Sequence, residues 1–162
     1  MGSDSDWETM KPAVDVLEHF DIPFDCLVMS AHRTPERTCE YARMAEARGL
    51  KVIIAGAGGA AHLPGVVAAH TTLPVLGVPV ESAVFAGLDS VLSMLRMPGG
   101  VPTPVSGVGK SGAKNAALFA VSVLGLTDDQ LDGAYKAWRE EQGAEIPRPP
   151  HAFAARNSGD AA

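Results

Sequence analysis

Apolar residues recur at Trp7, Met10, Val14 and Leu17, a spacing of three and four that predicts an amphipathic helix. Phe24 to Met29 is a short apolar run, read as a buried strand after the turn Asp21-Ile22-Pro23. A helix is predicted from Pro35 to about Arg48, with Thr34 as its N-cap and Gly49 just past its end. Continuous apolar runs at 51–55 and 74–80 fit parallel strands covered on both faces. Between and after them come a Gly-rich loop from Gly56 to Gly65 and a helix from Asp89 to Arg96. Thr103 to Val108 reads as a last strand, at an edge because of Pro104. An Ala-rich helix follows over 113–124. Thr127-Asp128-Asp129-Gln130 then reads as a capping box for a helix with Leu131, Tyr135 and Trp138 on one face. Strands alternating with helices predict an α/β fold, a parallel sheet with helices on both faces.

At 162 residues the chain is the size of one domain, assigned to 1–147, with 148–162 read as a flexible tail. A net charge of −6 argues against a nucleic-acid partner, which asks for a basic face, so an anion would have to be held locally. Cys26 and Cys39 form neither a metal spacing nor a disulfide framework and are read as buried, reduced thiols. No apolar run reaches membrane-spanning length and no signal-peptide pattern is present, so the expectation is a cytoplasmic protein without a membrane partner.

Candidate chemistry concentrates in Ser30-Ala31-His32-Arg33-Thr34-Pro35, between the first strand and a helix mouth. Open α/β sheets place ligands at the carboxyl ends of their strands. A titratable imidazole beside a permanent cation there suits proton transfer on an anionic substrate. The plainer alternative is a loop histidine satisfied by backbone. Gly2-Ser3-Asp4-Ser5-Asp6 could hold phosphate at a helix start, or could simply cap that helix. The loop Gly56-Ala57-Gly58-Gly59-Ala60-Ala61-His62 has almost no side chain and lets backbone approach a planar ligand. It lacks the dinucleotide fingerprint and the P-loop lysine. His62 is either a second site residue or a cap for the next helix. Lys110 is a phosphate candidate or a solvated loop lysine.

Together, Gly2 to Trp7, Ser30 to Pro35 and Ala55 to Gly65 resemble the class I N5-carboxyaminoimidazole ribonucleotide mutases of purine biosynthesis. Leu76-Gly77-Val78-Pro79-Val80, Asp89-Ser90 and Gly112 to Leu118 extend the likeness, which covers about residues 1–142. The resemblance implies a three-layer flavodoxin-like fold and a homo-octamer with sites at subunit contacts. It also implies an isomerase that moves a carboxylate from N5 to C4 of an aminoimidazole ribonucleotide without metal, cofactor or ATP. By the same resemblance His32 is the general acid/base, and Ser3, Asp6 and Arg33 bind the ribose-phosphate end. Ser30 and Gly58 join them as substrate-binding positions, and His62 and Leu63 enclose the imidazole and the migrating carbon dioxide. Two alternatives stand beside this reading. One is a class II carboxylase acting on aminoimidazole ribonucleotide with free carbon dioxide. The other is a catalytically silent nucleotide-binding assembly subunit.

Members of that family carry an apolar strand directly before the Gly-Ser turn, and here Met1-Gly2 stands in its place. The expectation is that this first strand is missing from the chain and encoded upstream. It predicts an unfilled slot between 24–29 and 51–55, and weak anchoring of residues 1–5.

Overall fold

The computed structural model describes residues 1–82 and 84–146, so the tail expected over 148–162 lies outside the described residues. Two strands, β1 (Ile53–Gly58) and β2 (Val75–Val80), pair in parallel from Ile53↔Val75 to Gly58↔Val80. Six helices surround them: α1 (Trp7–His19), α2 (Pro35–Met44), α3 (Leu63–Ala68), α4 (Leu88–Leu95), α5 (Gly109–Leu124) and α6 (Asp129–Ala144).

Side chains alternate across the sheet and divide the core in two. Leu76 and Val78 meet Met10, Ala13 and Val16 of α1 and the Ala-rich face of α5. Ile53, Ala55, Ala57 and Val75 face Ala42, Leu63, Val67 and Met94, from α2, α3 and α4. The result is the expected three-layer α/β arrangement. Gly56 sets the closeness of one layer, since a Cβ there would lie 2.3 Å from the Met10 Sδ. Outside α1 and α5, Leu131, Tyr135 and Trp138 pack α6 against Phe20 as their shared helical face predicts.

Several boundaries differ from the sequence reading. The expected strand at 103–108 is reduced to one parallel bridge, Gly77↔Val105, with Gly77 N–H donating to the Pro104 carbonyl at 2.8 Å. Pro102 and Pro104 have no N–H with which to extend it. Helix α5 starts four residues early because Gly112 packs directly on the Gly107 backbone, where a Cβ would fall 2.3 Å from its oxygen. The cap of α6 is Asp128, which accepts from the N–H groups of Gln130 and Leu131. Thr127 instead donates back to the Leu124 carbonyl.

The largest departure is at Phe24 to Met29, which forms no strand. It runs beside β1 but is separated from it by a cleft of about 790 Å³ lined by Leu17, Leu27, Ile54, Leu63 and Leu124 among others. Phe24 and Val28 are exposed for that reason, and so is Cys26, contrary to its expected burial, while Cys39 is half-buried. The slot is therefore present, but residues 1–5 are not loosely held. Met1 bridges the cleft's end: its ammonium donates to the Leu27 carbonyl at 2.9 Å and its carbonyl accepts from Met29 N–H at 2.9 Å. Gly2 N–H then reaches the Gly56 carbonyl of β1 at 3.0 Å.

Burial of the Met1 ammonium pushes its pKa below the ordinary value, with weaker opposing pulls from Cys26 and Asp6. Between that lowered value and about 8 the unfolded chain binds more protons at this group, so its contribution to stability rises with pH. Acetylating the Met1 nitrogen should remove that part of the slope, measured as Tm at about pH 6 and pH 8.

Candidate active site

Three loops meet near the carboxyl end of β1, joined to one another by hydrogen bonds. The first is the turn after Met1-Gly2. Ser3 N–H donates to the Asp6 carboxylate at 3.0 Å, and the Ser3 hydroxyl caps the turn before α1. This is the reciprocal capping box, formed here rather than at Thr127, and it buries Asp6. The Ser3 hydroxyl also donates to Asp4 at 3.0 Å. That bond, helped by Ser5 N–H and less by Arg33, holds the Asp4 carboxyl below the usual carboxylate range.

The second loop, Ser30 to Thr34, is braced through the Ser30 carbonyl. It accepts from Thr34 N–H (2.9 Å), the Thr34 hydroxyl (3.0 Å) and the Thr38 hydroxyl (3.3 Å). Thr34 precedes Pro35 as expected but its side chain caps nothing in α2, because it is spent on Ser30. The Ser30 hydroxyl accepts from Arg33 N–H and Nε. Arg33 Nη2 then reaches the Gly2 carbonyl at 3.3 Å, tying this loop to the first. The spacing of Ser30, Thr34 and Thr38 by four was a legible signal for this brace, and the sequence reading missed it.

The third loop follows β1. Gly58, at the strand's end, is exposed, and Gly59 (φ +63°) and Ala61 (φ +50°) both take left-handed conformations. Such a φ is uncommon for alanine and persists only where its surroundings impose it. Ala61 N–H bonds to the Gly58 carbonyl, and Ser93 of α4 donates to the Ala60 carbonyl at 2.6 Å. Nothing in the sequence marked Ser93 for this role. Leu63 is buried in the core behind the loop, whereas His62 points out of it. His62 occupies the N-cap position of α3 without a capping bond. Its Nδ1 lies 2.7 Å from the Nε2 of His32.

Ser3, Asp6, Ser30, His32, Arg33, Gly58, His62 and Leu63 thus come from three loops and sit together or directly behind the same edge. Lys110 lies apart from these contacts, exposed in the first turn of α5 rather than in a loop.

A family model described as AIR carboxylase matches residues 1–145. The chain belongs to that family. It is 58% identical over 131 residues to the N5-carboxyaminoimidazole ribonucleotide mutase of Bacillus subtilis, covering 81% of each chain. With the mutase of Brucella melitensis it shares 53% over 150 residues, 93% of each. The crystal structure of Treponema denticola PurE superposes with a TM-score of 0.80 at 32% identity, covering 90% of both chains. The family to which the three motifs pointed is the family of this chain, and the three-layer fold agrees with that structure.

Proposed function

We propose that this protein is an N5-carboxyaminoimidazole ribonucleotide mutase, an isomerase of purine biosynthesis, with residues 1–147 as its catalytic unit. The observation that carries this reading is the convergence of His32, Arg33, the Ser3 turn and the Gly-rich loop at one edge. In the first half-reaction the N5–carboxylate bond breaks, carbon dioxide departs and N5 takes a proton from His32. In the second, C4 attacks that carbon dioxide and the C4 proton returns to His32. No net proton is gained or lost, so one imidazole, which can both donate and accept a proton, serves both steps.

Arg33 offers a two-pronged donor to the phosphate end, with Ser30 at its base and Ser3 and Asp6 shaping the turn beside it. An arriving phosphate competes with Asp4 for the Ser3 hydroxyl. Gly58 and His62 line the loop that covers the imidazole and keeps water from the released carbon dioxide, and Leu63 anchors that loop in the core behind it. The side chains named supply all the acid–base chemistry, so turnover should survive exhaustive chelation. A loss of activity on chelation that added divalent metal restores would contradict this mechanism.

The active form is a homo-octamer acting in the cytoplasm. Leu88, Leu92 and Leu95 form an exposed apolar stripe on α4, extended by Phe85, and such a face favours burial against another copy. Light scattering on the purified protein tests the assembly. No described helix is long and apolar enough to cross a membrane.

The high identity to proteins named as mutases favours this reading over the direct carboxylase. Assay with N5-carboxyaminoimidazole ribonucleotide should give product, whereas aminoimidazole ribonucleotide with bicarbonate should not. The reverse result would assign the carboxylase, and inactivity with both would assign a silent subunit.

A further inference from the structure

His32 and His62 are thirty positions apart in the chain, yet their rings meet edge to face, with centroids 4.8 Å apart and planes at 74°. The Nε2-to-Nδ1 distance of 2.7 Å is that of a hydrogen bond. Two imidazole nitrogens can bond only if one carries a hydrogen and the other is bare. The contact therefore holds a single proton, because two N–H groups would oppose each other at that distance.

Neither ring arrives there on a loose arm. The His32 loop is fixed by three bonds to the Ser30 carbonyl. The His62 loop is fixed by the left-handed Ala61, the Ser93 tether and buried Leu63. The His62 ring serves no cap of α3, and its Nδ1 is given over to His32.

We propose that His62 is a positioning residue for the proton chemistry of His32: its Nδ1 shares one hydrogen with the reactive Nε2 and holds it in one orientation in the unliganded site. This rests on the assignment of His32 as acid/base. In the empty site Nε2 faces His62, so N5 or C4 of the substrate must replace Nδ1 as its partner. His62 then acts before the chemical steps, by keeping the free enzyme poised. Its loss should lower kcat/KM more than kcat, since only the former refers to free enzyme.

Nitrogen NMR of histidine-labelled protein without substrate tests the contact. The expected signature is one protonated and one bare nitrogen in a mutual bond, assigned to His32 and His62. His62→Leu should abolish it and shift the His32 Nε2 signal; His32→Asn should likewise move the His62 Nδ1 signal. In turnover, His62→Leu should lose roughly tenfold in kcat/KM, the scale of one hydrogen bond. His62→Asn, whose amide nitrogen overlays Nδ1, should recover several-fold of that loss and keep His32 Nε2 bonded. Identical His32 nitrogen signals in the parent and His62→Leu would overturn the proposal, as would Asn recovering nothing. Full turnover in His32→Asn would instead refute the acid/base assignment, and would leave the parent's NMR signature unchanged.

Discussion

His32→Asn should reduce turnover by roughly 100-fold or more, the scale of a lost general acid–base group. Asparagine retains similar size and hydrogen bonding but can neither donate nor take up a proton near neutral pH. The side chain is exposed and braces nothing in the core, so Tm should stay close to that of the parent. Nucleotide affinity should also persist, because the phosphate end is gripped by Arg33 and the Ser3 turn. Turnover, Tm and product affinity measured on one preparation separate a chemical defect from a folding one. Activity near that of the parent would exclude His32 as the proton carrier.

Arg33→Ala should act on binding instead. A hydrogen bond to a charged group contributes about 1.5–3 kcal/mol, so product affinity should fall roughly 10- to 150-fold. The same guanidinium ties Ser30 to the Gly2 carbonyl, so its removal also frees the first turn from the second loop. Arg33→Lys keeps the charge without the planar fork and should recover only part of the affinity. Ser3→Ala should weaken binding less, as it removes a neutral donor already engaged with Asp4. Calorimetric titration with product orders the three variants. Unchanged affinity in both Arg33→Ala and Ser3→Ala would move the anion site elsewhere, with Lys110 the next candidate.

Elements whose pattern is local were legible in the sequence. Helix α1 follows from apolar residues every three or four positions, and α2 from Pro35 in its first turn. Strand β2 is a continuous apolar run whose residues are all buried. The three motifs also marked loops that the fold brings into contact at one edge of the sheet. Each lies next to a strand-like run, and the carboxyl end of a parallel strand is where ligands sit.

Phe24 to Met29 shows where local pattern stops being enough. An apolar run reads the same whether or not a strand lies beside it, but a strand exists only through hydrogen bonds to a neighbour. Here the only backbone partner among the described residues is Met1, at the far end, and Cys26 and Val28 are left facing outward. The segment around Pro104 shows the same limit: the proline marks an edge position, but only the fold decides that pairing there shrinks to one bridge.

The side-chain contacts within the site were decided by the tertiary structure alone. Ser3 could cap a helix or hold phosphate, and the fold makes it a cap while leaving it beside Arg33. His62 could cap α3 or enter the site, and two left-handed residues and a serine from α4 turn it toward His32. Residue type and spacing determined which groups this protein has available for chemistry. Which atom meets which depends on loop conformations set by packing between distant segments, and no local period in the chain encodes those.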